Sequence, residues 1–165
     1  MTRWIDRRFE YEPPVGEYPM ILERLRGTPA RATERVRFIP ETVLTRRDGD
    51  AWSPQEHIGH LLDLESLWAT RVEEFLRGAP ELTAADMSNR RTHEANHNAR
   101  SIHALLAEFT VARAQLLARL DAASNPAVSA IHPRLKRAMR LIDFCFFMAE
   151  HDDHHLAIIT RLLSA

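Results

Sequence analysis

"FCFFMAEHDDHHLAIITRLL", residues 144–163, places three histidines and two aspartates inside an otherwise apolar segment. At 100° per residue, with Met148 as zero, Leu141, Phe144, Ile159 and Leu162 fall within about 40° of one line, the stripe of a buried helix. His155 at about −20° and His151 at about −60° lie in that stripe, and Asp152 at about +40° is inward too. His154 at about −120° and Asp153 at about +140° are expected on the outer side. Two inward histidines one turn apart can bind a single metal ion through nitrogens about 2.0–2.1 Å away. Two core histidines, each satisfied by hydrogen bonds, would give the same pattern.

Working outward, Leu141 to Leu163 reads as the last of four long amphipathic segments. The second has the clearest start. In "WSPQEH", residues 52–57, Ser53 is an N-cap, Pro54 suits the first helical position and Glu56 completes a capping box. Ile58, Leu61, Leu62, Glu65, Trp68, Val72, Phe75 and Leu76 follow at helical spacing, and Gly78 and Pro80 end the helix. Ile102 to Leu120 makes a third helix. Residues 17–39 carry Ile21, Leu22, Leu25, Ala32, Val36 and Ile39, but Gly27 and Pro29 predict a kink or two short helices. Residues 1–16 read as an N-terminal arm and 17–165 as one domain. Residues 40–51, 79–98 and 121–139 read as connections, the first with a turn at Asp48-Gly49. No strand pattern of useful length stands out. The fold class is therefore all-α, a four-helix bundle whose long loop connections need not give simple up-and-down order.

At 165 residues, 45% hydrophobic and 27% charged, the chain suits one globular domain. A net charge of −1 offers no field for nucleic acid or acidic membranes. No apolar run approaches the ~18 residues that span a bilayer, and "MTRWIDRRFEYEPP" lacks the apolar core of a signal peptide. The one cysteine, Cys145, allows no internal disulfide, which suits a cytoplasmic location. Nine histidines make imidazole the enriched reactive group.

A third ligand for a metal should come from another helix, and the second offers His57 and His60. With Leu61 as zero they lie at about −40° and −100°, so periodicity does not choose between them. His57 has a separate role available, since Trp52 precedes the N-cap and His57 is the N4 position of a staple contact. His60, on the flank, faces the groove toward a neighbouring helix.

"WSPQEHIGHLLDLE", with a tryptophan eight residues before His60, resembles the second helix of the DinB-like and YfiT-like superfamily, and "FMAEHDDHHLAII" resembles its last helix. The resemblance covers roughly residues 20–164. It implies a four-helix bundle with a three-histidine divalent-metal site at His60, His151 and His155, and a homodimer, toward which Phe147 would present an outward apolar side chain. The name is shared with an unrelated polymerase, whose activity does not follow. The resemblance implies three readings. The first is a metal-dependent S-transferase using bacillithiol, mycothiol or glutathione on a small-molecule electrophile. The second is a metal-dependent hydrolase. The third is a non-catalytic metal-binding or stress-related module. Three imidazoles suit Zn, Ni, Fe or Mn.

Other motifs carry blander readings. "HEANH", residues 93–97, has the H-E-x-x-H spacing of zinc proteases, but its context is almost wholly polar. A solvated helix start, or a contribution of His93 or His97 to the mouth of the site, suits it better. Arg134, Lys136, Arg137 and Arg140 form a basic run that is either solvated surface or a clamp for the carboxylates of a thiol cofactor. Asp152, Asp63 and Glu56 are candidate supports for metal-bound histidines, with capping and surface roles as the alternative.

Overall fold

The computed structural model of the chain describes residues 4–7 and 12–164. Helix α1 (Tyr18–Val36) runs unbroken through Pro29, where the sequence predicted a kink or a break. Proline lacks the N–H that would bond the carbonyl four residues earlier. That carbonyl, Leu25, instead accepts from Arg113 Nη1 at 3.0 Å. A short helix, α2 (Glu41–Leu44), lies in the connection to α3 (Pro54–Leu76). Gly49 turns the chain between them at φ 58°, in the left-handed region that glycine enters without a Cβ clash. The predicted capping box starts α3: Glu56 N donates to Ser53 Oγ at 3.1 Å and Ser53 N to Glu56 Oε2 at 2.9 Å. Arg47 pairs with the same carboxylate.

Helix α4 (Arg90–Glu94) is a short piece of the next connection, followed by α5 (Ile102–Asp121). Residues 121–139, read as loop from sequence, contain a β-hairpin: β1 (Ser129–His132) pairs antiparallel with β2 (Arg137–Arg140), Ser129 opposite Arg140. β1 alternates in burial, but it buries Ala130 and His132 and exposes Ile131, so the sequence shows no apolar alternation. His132 holds the turn, its Nδ1 accepting from Arg134 N at 3.3 Å and Leu135 N at 3.2 Å. Residues 80–82 pair with Ile131, Leu82 N donating to its carbonyl at 3.0 Å. Helix α6 (Leu141–Leu163) closes the chain.

α1 packs on α5 and α6, and α3 packs on α5 and α6, so the order round the bundle is α1, α5, α3, α6. The chain therefore crosses a diagonal from α1 to α3 and again from α5 to α6. The long connections at 37–53 and 122–140 span those crossings.

A polar layer divides the core in two. On one side lie Leu22, Leu25, Val72, Phe75, Leu116 and Phe144, and on the other Ala32, Ile58, Leu105, Leu106, Leu156 and Ile159. Between them each long helix contributes one residue: Thr28, Glu65, Arg113 and Asp152. Arg113, 1% exposed, donates to Glu65 Oε1 at 2.6 and 3.0 Å and to Asp152 Oδ2 at 2.6 Å. Thr28 Oγ1 donates to Asp152 Oδ2 at 2.7 Å. Burial raises the Glu65 carboxyl above its ordinary range, against the pull of Arg113. Glu65, placed in the apolar stripe by spacing, is thus inward as an ion-pair partner. Asp152 is inward as expected, but it serves this layer and supports no histidine.

Candidate metal centre

The polar layer fixes the heights of α3 and α6, and with them three imidazoles. His60 lies five residues before Glu65, and His151 adjoins Asp152. His60, His151 and His155 are all buried, and a ligand nitrogen of each lies within 4.8 Å of the others. Among the described residues this is the group of histidine, cysteine or carboxylate side chains that could hold a metal ion. His151 Nε2 and His155 Nε2 are 3.2 Å apart. Two nitrogens held about 2.0–2.1 Å from one ion, at tetrahedral to octahedral angles, stand about 2.9–3.4 Å apart. The donor set therefore fits a divalent ion.

Burial, with the neighbouring imidazoles second, pushes His155 and His151 well below the ordinary histidine range. Burial also lowers His60 to about 4, against the opposing pull of Asp63. All three are neutral at pH 7, as metal ligation requires.

The hydrogen bonds around them settle which nitrogen of His60 is available to a metal, and they allow the matching tautomer of His155. Asp63 Oδ2 accepts from Thr92 Oγ1 at 2.9 Å and from His97 Nε2 at 2.8 Å. Burial opposes ionisation of Asp63, but His97 and Thr92 hold its carboxyl below the ordinary range. A carboxylate only accepts, so the Thr92 hydroxyl proton points at Asp63. The Thr92 oxygen then accepts from His60 Nδ1–H, 3.0 Å away, which leaves the lone pair of His60 on Nε2. On the other side, His57 Nδ1 and His155 Nδ1 are 2.9 Å apart. With the His155 proton on Nδ1, His57 is the acceptor and Nε2 of His155 is free to ligate. Such outer partners orient ligands and raise their basicity.

His57 is therefore both the predicted staple, its ring 5.5 Å from Trp52, and a support for His155. "HEANH" does not form one helix. α4 ends at Glu94, Asn96 has φ 47°, and His97 turns inward to Asp63. Gly59 makes room for it, since a Cβ there would stand 2.3 Å from the His97 ring. His93 stays exposed and packs against Trp52 at 5.5 Å. Glu56 serves as a cap and ion-pair partner. Support through Thr92 was missed from sequence, and His97, offered there for the mouth of the site, is instead buried behind Asp63, because a threonine and a histidine in a polar loop carry no periodic signal.

The cluster opens into a cavity of about 840 Å³. His154, expected on the outer side, is 8% exposed. Trp4 covers that flank of α6, its ring 5.5 Å from His154, 4.9 Å from His151 and 5.2 Å from Phe147. Phe147 likewise faces Trp4 and lines the cavity rather than presenting an outer surface. Of the basic run, Arg134 lines the cavity mouth. The other three do not line it. Lys136 pairs with Glu81 at 3.1 Å, Arg140 caps α6 through Asp143 at 2.6 Å, and Arg137 lies exposed on β2. Cys145 is fully buried and its thiol is pushed up by burial, so it offers no nucleophile.

The sequence pattern of the DinB superfamily matches residues 24–159. The chain belongs to the DinB superfamily. Among solved structures this DinB-superfamily chain is similar to YfiT from Bacillus subtilis, described as a probable metal-dependent hydrolase with an unusual four-helix bundle topology. The match has a TM-score of 0.80 at 19% identity and covers 94% of this chain and 91% of that one. A mycothiol-dependent maleylpyruvate isomerase matches with a TM-score of 0.68 at 11% identity, over 95% of this chain and 62% of that longer one. At these identities the likeness establishes the fold. No curated protein sequence matches. No helix among the described residues is long and apolar enough to cross a membrane.

Proposed function

We propose that this DinB-superfamily protein is a divalent-metal enzyme that transfers a low-molecular-weight thiol to a small electrophile, with His60, His151 and His155 as the metal ligands. The observation that carries the reading is the cluster itself: three neutral, buried imidazoles, without a carboxylate or thiolate among them, at the floor of a cavity. A closed structural site has four protein ligands, whereas three leave positions for reactants. When bound, a divalent ion there supplies Lewis acidity that lowers the pKa of a coordinated nucleophile.

The protein's own residues do the rest. His57 and Thr92 hold His155 and His60 in the ligating tautomer. Trp4, Trp52 and Trp68 wall the cavity. The buried Cys145 cannot serve, so the thiol must come from outside. At about 840 Å³ the cavity is near the upper end of the range for one ligand, which leaves room for a thiol beside its acceptor. Arg134, which lines the mouth, is the group that would meet a carboxylate of the thiol. In the transfer to a chlorinated aromatic, a C–S bond forms, the C–Cl bond breaks, chloride leaves and the thiol proton is released to solvent.

Elemental analysis should find about one divalent ion per chain. It should be lost in His60→Ala, His151→Ala and His155→Ala and kept in His154→Ala. Bacillithiol, mycothiol, glutathione and coenzyme A are then each tested with a chlorinated aromatic, with and without zinc, nickel, iron(II) or manganese. A thiol that reacts faster than its buffer control only with metal-loaded protein supports the transferase. Ester cleavage that depends on His60 replaces it with the hydrolase reading, which the likeness to YfiT favours. Bound metal with neither reaction replaces it with a non-catalytic metal-binding module.

A further inference from the structure

At the end of the cavity away from the histidines stands an arginine that the mechanism does not use. Arg71 is on α3, eleven residues after His60, hence about 16 Å along the helix and only about 20° round it. It is 2% exposed, yet it lines the cavity. Its Nε donates to Thr83 O at 2.9 Å, and its guanidinium lies 5.9 Å from the Trp68 ring centre and 5.8 Å from that of Phe144. No carboxylate pairs with it among the described residues. Glu74, the acidic group that acts on it, is already engaged by Thr83 N at 2.7 Å and Thr83 Oγ1 at 2.5 Å, and pairs with Arg77 at 3.7 Å. A buried arginine is normally paired, because an uncompensated charge is costly to desolvate.

The groups beside Arg71 are donors as well. His132 lines the same end, and because its Nδ1 accepts two hairpin amides, its proton sits on Nε2. Burial, then the charge of Arg71, pushes His132 down to about 4, so it is neutral at pH 7. Arg134 lies at the rim. The carboxylate on this wall, Asp86, is engaged by Ser88 N at 2.9 Å, Ser88 Oγ at 2.6 Å and Arg90 N at 3.1 Å. Among the described residues this end of the cavity thus holds one buried positive charge, a neutral N–H donor and no unengaged carboxylate.

We infer that Arg71 and His132 form a binding site for the carboxylate of the small-molecule substrate, whose apolar body lies along Trp68 with the reacting atom toward His60. One buried cation balances a monoanion, whereas a phosphate dianion would leave excess buried charge. In naming a substrate class the inference rests on the reading that the cavity is the reaction site, but the Arg71 site itself needs no metal.

The test is binding of 3-phenylpropanoate and of its primary amide, by calorimetry or by the fluorescence of the cavity tryptophans. It uses metal-loaded protein, chelator-treated protein and His60→Ala. The acid should bind about tenfold or more tighter than the amide in all three. That preference should fall to near one in Arg71→Met and be partly kept in Arg71→Lys, with circular dichroism confirming the fold. Equal binding of acid and amide by the wild-type chain overturns the inference, and that comparison needs no variant. So does a preference that survives Arg71→Met, that vanishes without metal, or that is exceeded about tenfold by phenethyl phosphate. If no metal binds under any condition while the acid preference stands, the enzymatic proposal falls and the Arg71 site remains.

Discussion

Thr92→Val tests whether the Asp63–Thr92–His60 chain sets the chemistry of the metal centre. Valine keeps the shape of threonine and removes one oxygen. That oxygen makes two buried hydrogen bonds, accepting from His60 Nδ1 at 3.0 Å and donating to Asp63 Oδ2 at 2.9 Å. Asp63 keeps His97 as a donor, so the main loss falls on His60. A buried N–H left without an acceptor costs about 1–3 kcal/mol. Part of that cost is avoided if the proton moves to Nε2, but Nε2 is then unavailable to a metal. Either route penalises ligation, so affinity for zinc should fall by about 5- to 150-fold at 1.4 kcal/mol per decade. That range contains the usual effect of losing an outer partner, about 10–100-fold. Competition against a chromophoric chelator measures it on folded protein. Thr92→Ser, which keeps the hydroxyl, should recover most of the affinity. Unchanged zinc affinity in Thr92→Val, or an equal loss in Thr92→Ser, would refute the argument.

Arg113→Met leaves Glu65 and Asp152 facing each other in the core and strands the Leu25 carbonyl, so it should cost about 3–5 kcal/mol, read by urea titration. For a chain of this size that corresponds to a fall in Tm of about 6–20 °C. The deficit should shrink as pH falls and Glu65, whose carboxyl burial already pushes up, takes up a proton. His132 has a folded pKa of about 4, below its ordinary value of 6.5, so the unfolded chain binds the proton first as pH drops. Its contribution is therefore present above pH 6.5 and lost as pH falls through about 4. His132→Asn, which keeps an acceptor but does not titrate, should flatten the stability profile across that window. A homodimer is expected from the family resemblance, although Phe147 faces Trp4 and the cavity. Light scattering across the micromolar range should give twice the 19.0 kDa chain mass, and a constant monomer mass would refute it.

The helices and two of the three clustered histidines were legible because both follow from spacing. His151 and His155 are one turn apart on one face, and Ser53, Pro54 and Glu56 mark a helix start by chemistry that is local. The choice of His60 over His57 was not local, and it came from the resemblance. Spacing also put Glu65 and Asp152 inward without revealing why, since their common partner Arg113 lies 48 and 39 residues away. The same limit hid Arg113's bond to the carbonyl freed by Pro29, and so the continuity of α1. His154 was misplaced because a helical wheel does not know that Trp4 covers that side. Arg71 was missed for a related reason: an arginine amid apolar residues reads as a helix flank until the hairpin closes over it.

The walls of the cavity come from two kinds of structure. The histidines sit on α3 and α6, whose heights are pinned by the polar layer. The opposite wall is the 84–89 segment and the hairpin turn at Pro133–Leu135, which contribute nothing to the layer or the cluster. What reacts and what is admitted are therefore written in separate stretches of sequence. A library confined to Ala84, Met87, Pro133 and Leu135 would vary the clientele of the cavity while metal affinity and bundle stability stay fixed. The turn of the hairpin, which looked like mere connection, is the exchangeable part, while its strands keep Ala130 and Met139 in the core.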